Sequence, residues 1–210
     1  MCFSAEASFI AGGVLGAAGI ISLKKSGTFQ QKVFAVIPLF FAAQQILEGF
    51  LWLVLANPDY IEWKHALITG FLIFVWLIWP VYVPFSMALL EKKSIRRKIL
   101  LSFLVLGFVL SIICLYILMF FHIDASAANL HIKYIVCDEP PYAWVYGILY
   151  LLPTVVSMFI SSVKKMWILG LVNLSSYVFS VLFYSENVLS VWCFFGAAAS
   201  TLVLWINRKS

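Results

Sequence analysis

Apolar residues in this chain run in long stretches, broken by short polar connections, and show neither a strand nor an amphipathic-helix period. A helix needs roughly 17–25 predominantly apolar residues to cross a bilayer. Seven stretches meet or approach that length: 5–23, 33–56, 66–90, 99–121, 143–163, 167–184 and 188–206, the sixth and seventh being short. The pattern predicts an all-α, polytopic membrane protein, a single domain over 1–210 with seven transmembrane helices. The longest polar connection, 122–142, is long enough to lie over the bundle as a lid or to stay solvated.

Charge orients the bundle. Of the 14 lysines and arginines, all but Lys64 and Lys133 fall in alternate connections: Lys24, Lys25 and Lys32, then the cluster in 92–98, then Lys164 and Lys165, then Arg208 and Lys209. Basic connections stay in the cytoplasm, so the N-terminus is expected outside and the C-terminus inside. No basic segment precedes the first stretch, which therefore reads as a spanning helix and not as a cleaved leader. Of the 210 residues 64% are hydrophobic and 11% charged, against about 45–50% and about 25% in soluble domains. The net charge of +5 does not point to nucleic acid, because no basic amphipathic surface with interleaved aromatics carries it. The expected partner is the lipid bilayer.

One acid breaks the apolar pattern well inside a span: Glu48. At about 100° per residue, Gln44, Gln45 and Trp52 fall within roughly 60° of it on the helix surface. Two amides, a carboxyl and an indole N–H thus share a stripe that lipid would penalise, so it should face other helices or a cavity. With no lysine or arginine inside any span, the carboxyl is expected to be protonated near neutral pH unless water or a cation reaches it. It serves either as a ligand or proton site or as glue between helices. Ser8, Gly12, Gly16 and Gly19 give the first span a small-residue face suited to close helix packing. Pro80 and Pro84 predict a kink in the third span, each freeing the carbonyl four residues earlier.

At about 1.5 Å per residue, Glu48, Cys114 and Cys193 reach similar depths in the outer half. Cys2, His65, His122, His131 and Cys137 belong to the outer surface. Cys2, Cys193, Cys137, His65 and His131 are therefore candidate thiol or metal residues, and a disulfide between Cys2 and Cys137 or Cys193 is allowed outside the cytoplasm. No C-x-x-C or H-x-x-x-H spacing occurs, so no cofactor is required and a metal is a minor alternative. Helix 7 has no lysine for a retinal Schiff base before Arg208, and no P-loop, G-x-S-x-G or H-E-x-x-H is present.

Several short motifs act together: Met1-Cys2-Phe3-Ser4-Ala5 at the start, Gln44-Gln45-x-x-Glu48-Gly49-x-x-Trp52, Trp79-Pro80 followed by Val83-Pro84, Ser161-Ser162, and Ser190-Val191-Trp192-Cys193-Phe194-Phe195. Over essentially its whole length the chain resembles an uncharacterised bacterial membrane-protein family that opens with Met-Cys-Phe-Ser-Ala. The resemblance implies the fold and a bacterial inner (cell) membrane, and no activity. It puts motif residues at Cys2, Gln45, Glu48, Trp52, Pro80 and Cys193, and leaves His122, His131 and Cys137 unmatched.

Three function classes follow. The first is binding or transport of a small polar solute or proton in an outward-facing pocket around Glu48. The second is extracytoplasmic thiol or metal redox chemistry at Cys2, Glu48 and Cys193. The third is a sensor or scaffold with partners at Arg96 and Arg97. Substrate and oligomeric state are not legible, and enzyme activity is the less favoured alternative.

Overall fold

The computed structural model describes residues 4–128, 131–137 and 143–207. Helix α1 (Ala5–Lys25) starts where the Ser4 hydroxyl accepts a hydrogen bond from the Ala7 N–H, 3.3 Å away, filling one of the open donors of the first turn. Helix α2 (Phe29–Ala56) opens with a reciprocal capping box between Thr28 and Gln31 and turns at Val36, just ahead of Pro38. The small face of α1 packs on α2: a methyl on Gly12 would stand 2.9 Å from the Ile46 side chain and 3.3 Å from the Ala42 carbonyl. That closeness is how helices associate where water supplies no driving force.

Helix α3 (Asp59–Leu90) begins with a 3-10 turn and widens to a π segment at Ile73–Ile78, immediately before Trp79 and Pro80. Helix α4 (Ser94–Phe120) follows. Helix α5 (Val145–Ile160) carries a second π segment, Leu152–Val156, which contains Pro153. Proline offers no N–H to the carbonyl four residues back and crowds it, and a π turn is one way the ladder gives. The kink expected from Pro80 thus takes the form of a widened turn upstream of it. Carbonyls in the α3 π segment are used by neighbours: Ser111 donates to the Leu77 carbonyl at 3.1 Å, and the Tyr150 hydroxyl donates to the Val75 carbonyl. Helices α6 (Met166–Phe183) and α7 (Val188–Asn207) complete the bundle.

Among the described residues six helices are long and apolar enough to cross a membrane, and the shorter apolar α5 stands where the fifth span is expected. On α4, Val105, Phe108, Ile112 and Met119 are each more than half exposed, an apolar surface suited to lipid and not to water. Where α4 meets α3, a methyl on Gly107 would lie 1.9 Å from the Pro80 carbonyl oxygen. Only glycine allows the two backbones to touch there.

The polar connection after α4 departs from expectation. It forms an antiparallel hairpin of β1 (Ile123–Ala128) and β2 (His131–Val136), with Ile123 opposite Val136 and Ala128 opposite His131. Ile123, Ala125 and Ile132 are buried, and Tyr134 stacks on Phe71 of α3 with ring centres 4.7 Å apart. Lys64 of α3 pairs with Asp124 at 2.6 Å, and Lys133 pairs with Glu186, just before α7, at 3.0 Å. The hairpin is therefore docked on the bundle from two sides, and the described residues are otherwise all-α. Packing on either side of the middle is apolar: Phe34, Met87, Leu100, Met166 and Ile206 fill the end away from the hairpin, and Leu51, Phe71, Leu72 and Ile132 the end beneath it.

Candidate functional site

The acid stripe of α2 lies wholly inside the protein, with Gln44, Gln45 and Glu48 all at 0% exposure. Glu48 Oε1 accepts from the Ser190 hydroxyl of α7 at 2.6 Å, and Oε2 accepts from Gln45 Nε2 at 3.3 Å. Gln44 Oε1 accepts from the Trp79 indole N–H of α3 at 2.9 Å. The Cys193 thiol of α7 sits beside the Gln44 amide and within electrostatic reach of Glu48. Three helices thus meet on one polar cluster. Its hydrogen bonding is incomplete: Gln45 Oε1 and Trp52 Nε1 are buried and have no hydrogen-bond partner among the described residues. Each such group costs about 1–3 kcal/mol, so buried groups of this kind are rare and call for an explanation.

Against this cluster lies a narrow cavity of about 50 Å³. Trp79 and Cys193 belong to both, while Glu48 sits behind the wall and is not among the lining residues. The walls are aromatic: Phe41 stacks on Trp79 at 4.1 Å, and Trp192 meets Tyr150 edge-on at 5.8 Å. Val75 and Thr154 bring both π segments to the lining. The Thr154 and Ser200 hydroxyls donate to the carbonyls of Tyr150 and Ala197, at 2.6 and 2.7 Å. The Asn173 amide is less committed, its Nδ2 meeting only the Met158 sulfur at 4.0 Å. Among the described residues no charged side chain lines the cavity. A second, wider chamber of about 390 Å³ lies towards the hairpin and is bordered by Trp76, Cys114, Tyr134, Tyr146 and Tyr177. The two chambers share Val75, Tyr150 and Trp192 as a common wall.

Of the stripe Gln44, Gln45, Glu48 and Trp52 and the cysteines Cys114 and Cys193 expected at its depth, the structure brings together Gln44, Gln45, Glu48 and Cys193, and adds Ser190 and Trp79. Trp52 lies partly buried further along α2, and Cys114 falls in the second chamber. Pro80 and Pro84 are both buried and are not among the residues lining the cavity. His65 is exposed, His131 is buried in the hairpin against Tyr184 at 4.7 Å, and Cys137 is exposed after β2. Cys114, Cys137 and Cys193 are free thiols. Among the described residues no group of three or more His, Cys, Asp or Glu side chains converges on a metal position. Cys2, Asp138 and Glu139 lie outside the described residues.

Glu91 was not singled out by the sequence pattern. It ends α3 and is 4% exposed. Its Oε1 accepts from the Lys93 N–H at 2.8 Å and the Ser162 hydroxyl at 2.6 Å, and its Oε2 accepts from the Ser162 N–H at 2.6 Å. Arg96 donates to the Ile160 carbonyl alongside, at 3.2 Å. Burial works against the ionised form, but hydrogen bonds from Ser162 and Lys93 and the Arg96 charge outweigh it and hold the carboxyl below its usual range. This latch ties the far ends of α3 and α5, the two helices with π segments. The available signal was an acid just past a span, beside a basic cluster that does not need it for orientation.

The chain belongs to a family described as a family of unknown function, DUF6629, whose model matches residues 1–210. No curated protein and no solved structure matches it.

Proposed function

We propose that this protein is a seven-span membrane protein that binds a neutral, largely apolar, planar small molecule in the cavity between Phe41, Trp79, Tyr150 and Trp192. The observation that carries this is the lining itself: stacked and edge-on aromatic faces, one under-used amide at Asn173, and no charged group among the described residues. A charged ligand would lose its hydration there without a counter-charge. A flat apolar one gains aromatic contact as the side chains part to admit it, the closed cavity being only about 50 Å³. The ligand thus shifts from the small polar solute suggested by Glu48 alone to one whose body is apolar. Glu48, behind the wall with Ser190 and Gln45, is the proposed proton-bearing group of the site. Placement of π segments on the cavity accords with their usual occurrence at functional positions.

Seven crossings with the N-terminus outside accord with the contacts between connections. Glu91 and Ser162 hold the ends of α3 and α5 together at the basic end. Lys64 with Asp124 and Lys133 with Glu186 hold the other connections together at the hairpin end. Helix α5 would then run from one end to the other, and the positive-inside bias makes the hairpin end external.

The test uses the protein in lipid nanodiscs and three ligands of one ring system: 2-naphthol (neutral), 2-naphthoate (anionic) and 2-naphthylmethylammonium (cationic). 2-Naphthol is expected to raise the melting temperature in a concentration-dependent way, the two ions to do so at least tenfold more weakly, and Trp79→Ala with Asn173→Leu to abolish the effect. Stronger stabilisation by either ion, or no effect of the cavity variants, overturns the proposal. Glu48→Gln keeps the shape and removes the titration; an unchanged pH dependence of 2-naphthol binding would sink the proton role.

A further inference from the structure

The two chambers are in series, and their shared wall is built from three residues, Val75, Tyr150 and Trp192. Tyr150 stands on α5 two residues before the Leu152–Val156 π segment, and its hydroxyl donates to the Val75 carbonyl inside the π segment of α3. The bond therefore joins the two irregular turns across the wall. In the π ladder of this segment the Val75 carbonyl would look five residues on, to Pro80, which has no N–H, so the Tyr150 bond can open without breaking the ladder of α3. Trp192 completes the wall from α7. Its ring meets Tyr150 at 5.8 Å and Tyr177 at 4.9 Å, and its indole N–H donates to the Asn173 carbonyl at 3.3 Å.

We propose that the hairpin-side chamber is the entry site for the ligand of the central cavity, and that Tyr150, latched to the Val75 carbonyl and backed by Trp192, is the gate between them. This rests on the cavity being the binding site. The entry chamber suits the same ligand class: Trp76, Tyr134, Tyr146 and Tyr177 offer aromatic faces, and Lys133, the one cation among its described lining residues, is neutralised by Glu186 at 3.0 Å. A neutral planar molecule thus meets aromatic surface on both sides of the gate.

The chain carries its own reporters. Cys114 lines the entry chamber and Cys193 lines the central cavity, and both are free thiols. The experiment follows alkylation of each by N-ethylmaleimide with mass spectrometry, on the full chain in nanodiscs with Cys2 and Cys137 replaced by serine. The wild-type gate is expected to let Cys114 react at least tenfold faster than Cys193. Tyr150→Phe, which keeps the ring and removes the latch, is expected to speed Cys193 about tenfold, the population shift given by losing one hydrogen bond of ordinary strength. It should leave Cys114 unchanged. Trp192→Leu, a second variant should the first fail to fold, is expected to do the same. Equal rates for the two cysteines, protection of Cys114, or a Cys193 rate unmoved by both variants overturns the gate. Failure of the binding proposal reads differently: gated Cys193 chemistry would persist while 2-naphthol neither stabilised the protein nor slowed Cys193 alkylation.

Discussion

Glu91→Gln is the sharpest test of how the cavity walls are held. The wild-type carboxylate takes three short hydrogen bonds from donors that cannot turn into acceptors, except for the Ser162 hydroxyl. An amide at this position must aim its NH₂ at a backbone N–H, of Lys93 or of Ser162, whichever way it is rotated. At least one charge-assisted bond is lost, roughly 1.5–3 kcal/mol, and a buried donor is left facing another, about 1–3 kcal/mol more. The variant should therefore lose on the order of 3 kcal/mol at pH 7, while Ser162→Ala, which removes a single hydroxyl bond, loses about 1 kcal/mol. Thermal unfolding in nanodiscs, followed by tryptophan fluorescence, should rank wild type above Ser162→Ala above Glu91→Gln. The pH dependence has a definite sign. A carboxyl held below its ordinary value of 4.5 contributes stability that is full above that value and is lost as pH falls through the folded one. The gap between wild type and Glu91→Gln should therefore close in acid. Equal melting at pH 7, or a gap that persists unchanged at pH 3, would refute the latch.

The hairpin should loosen in acid in two stages. Burial holds the His131 imidazole below its ordinary value of 6.5, and the Lys64 hydrogen bond holds the Asp124 carboxyl below its ordinary value of 3.8. Both groups therefore favour the docked hairpin at neutral pH and lose that contribution as pH falls, His131 first. Hydrogen exchange of 123–128 and 131–136 between pH 7 and pH 2 should rise ahead of exchange in α2, and His131→Phe should blunt the first stage while leaving the second, below the ordinary Asp value of 3.8, in place. Gly107→Ala places a methyl on the Pro80 carbonyl oxygen, 1.9 Å away, which a rigid backbone cannot yield to. It should lower the melting temperature far more than Gly13→Ala on α1, where the space is open, and equal effects would refute the close α3–α4 contact.

Much of this molecule is readable from one dimension because lipid is an unforgiving solvent. A backbone in hydrocarbon must satisfy itself, so long apolar stretches become helices, and a buried acid among apolar residues must face inward, as Glu48 does. Stripe geometry and depth were enough to bring Gln44, Gln45, Glu48 and Cys193 to one place, since helical phase and rise hold along a span. What they could not supply was partners on other helices. That Ser190 holds Glu48, that Trp79 holds Gln44, and that Glu91 holds Ser162 follow from helix rotation and neighbour order, which no periodicity in a uniformly apolar span encodes. The hairpin was hidden because its alternation is short and sits among polar residues, and its pairing is fixed by Phe71, Lys64 and Glu186 from elsewhere in the chain. The cavity is the furthest from the sequence of all. Sequence alone named Pro80 as a place where a helix must yield. Only tertiary packing decided that two yielding turns would face each other and leave an aromatic space between them, because empty volume belongs to no residue.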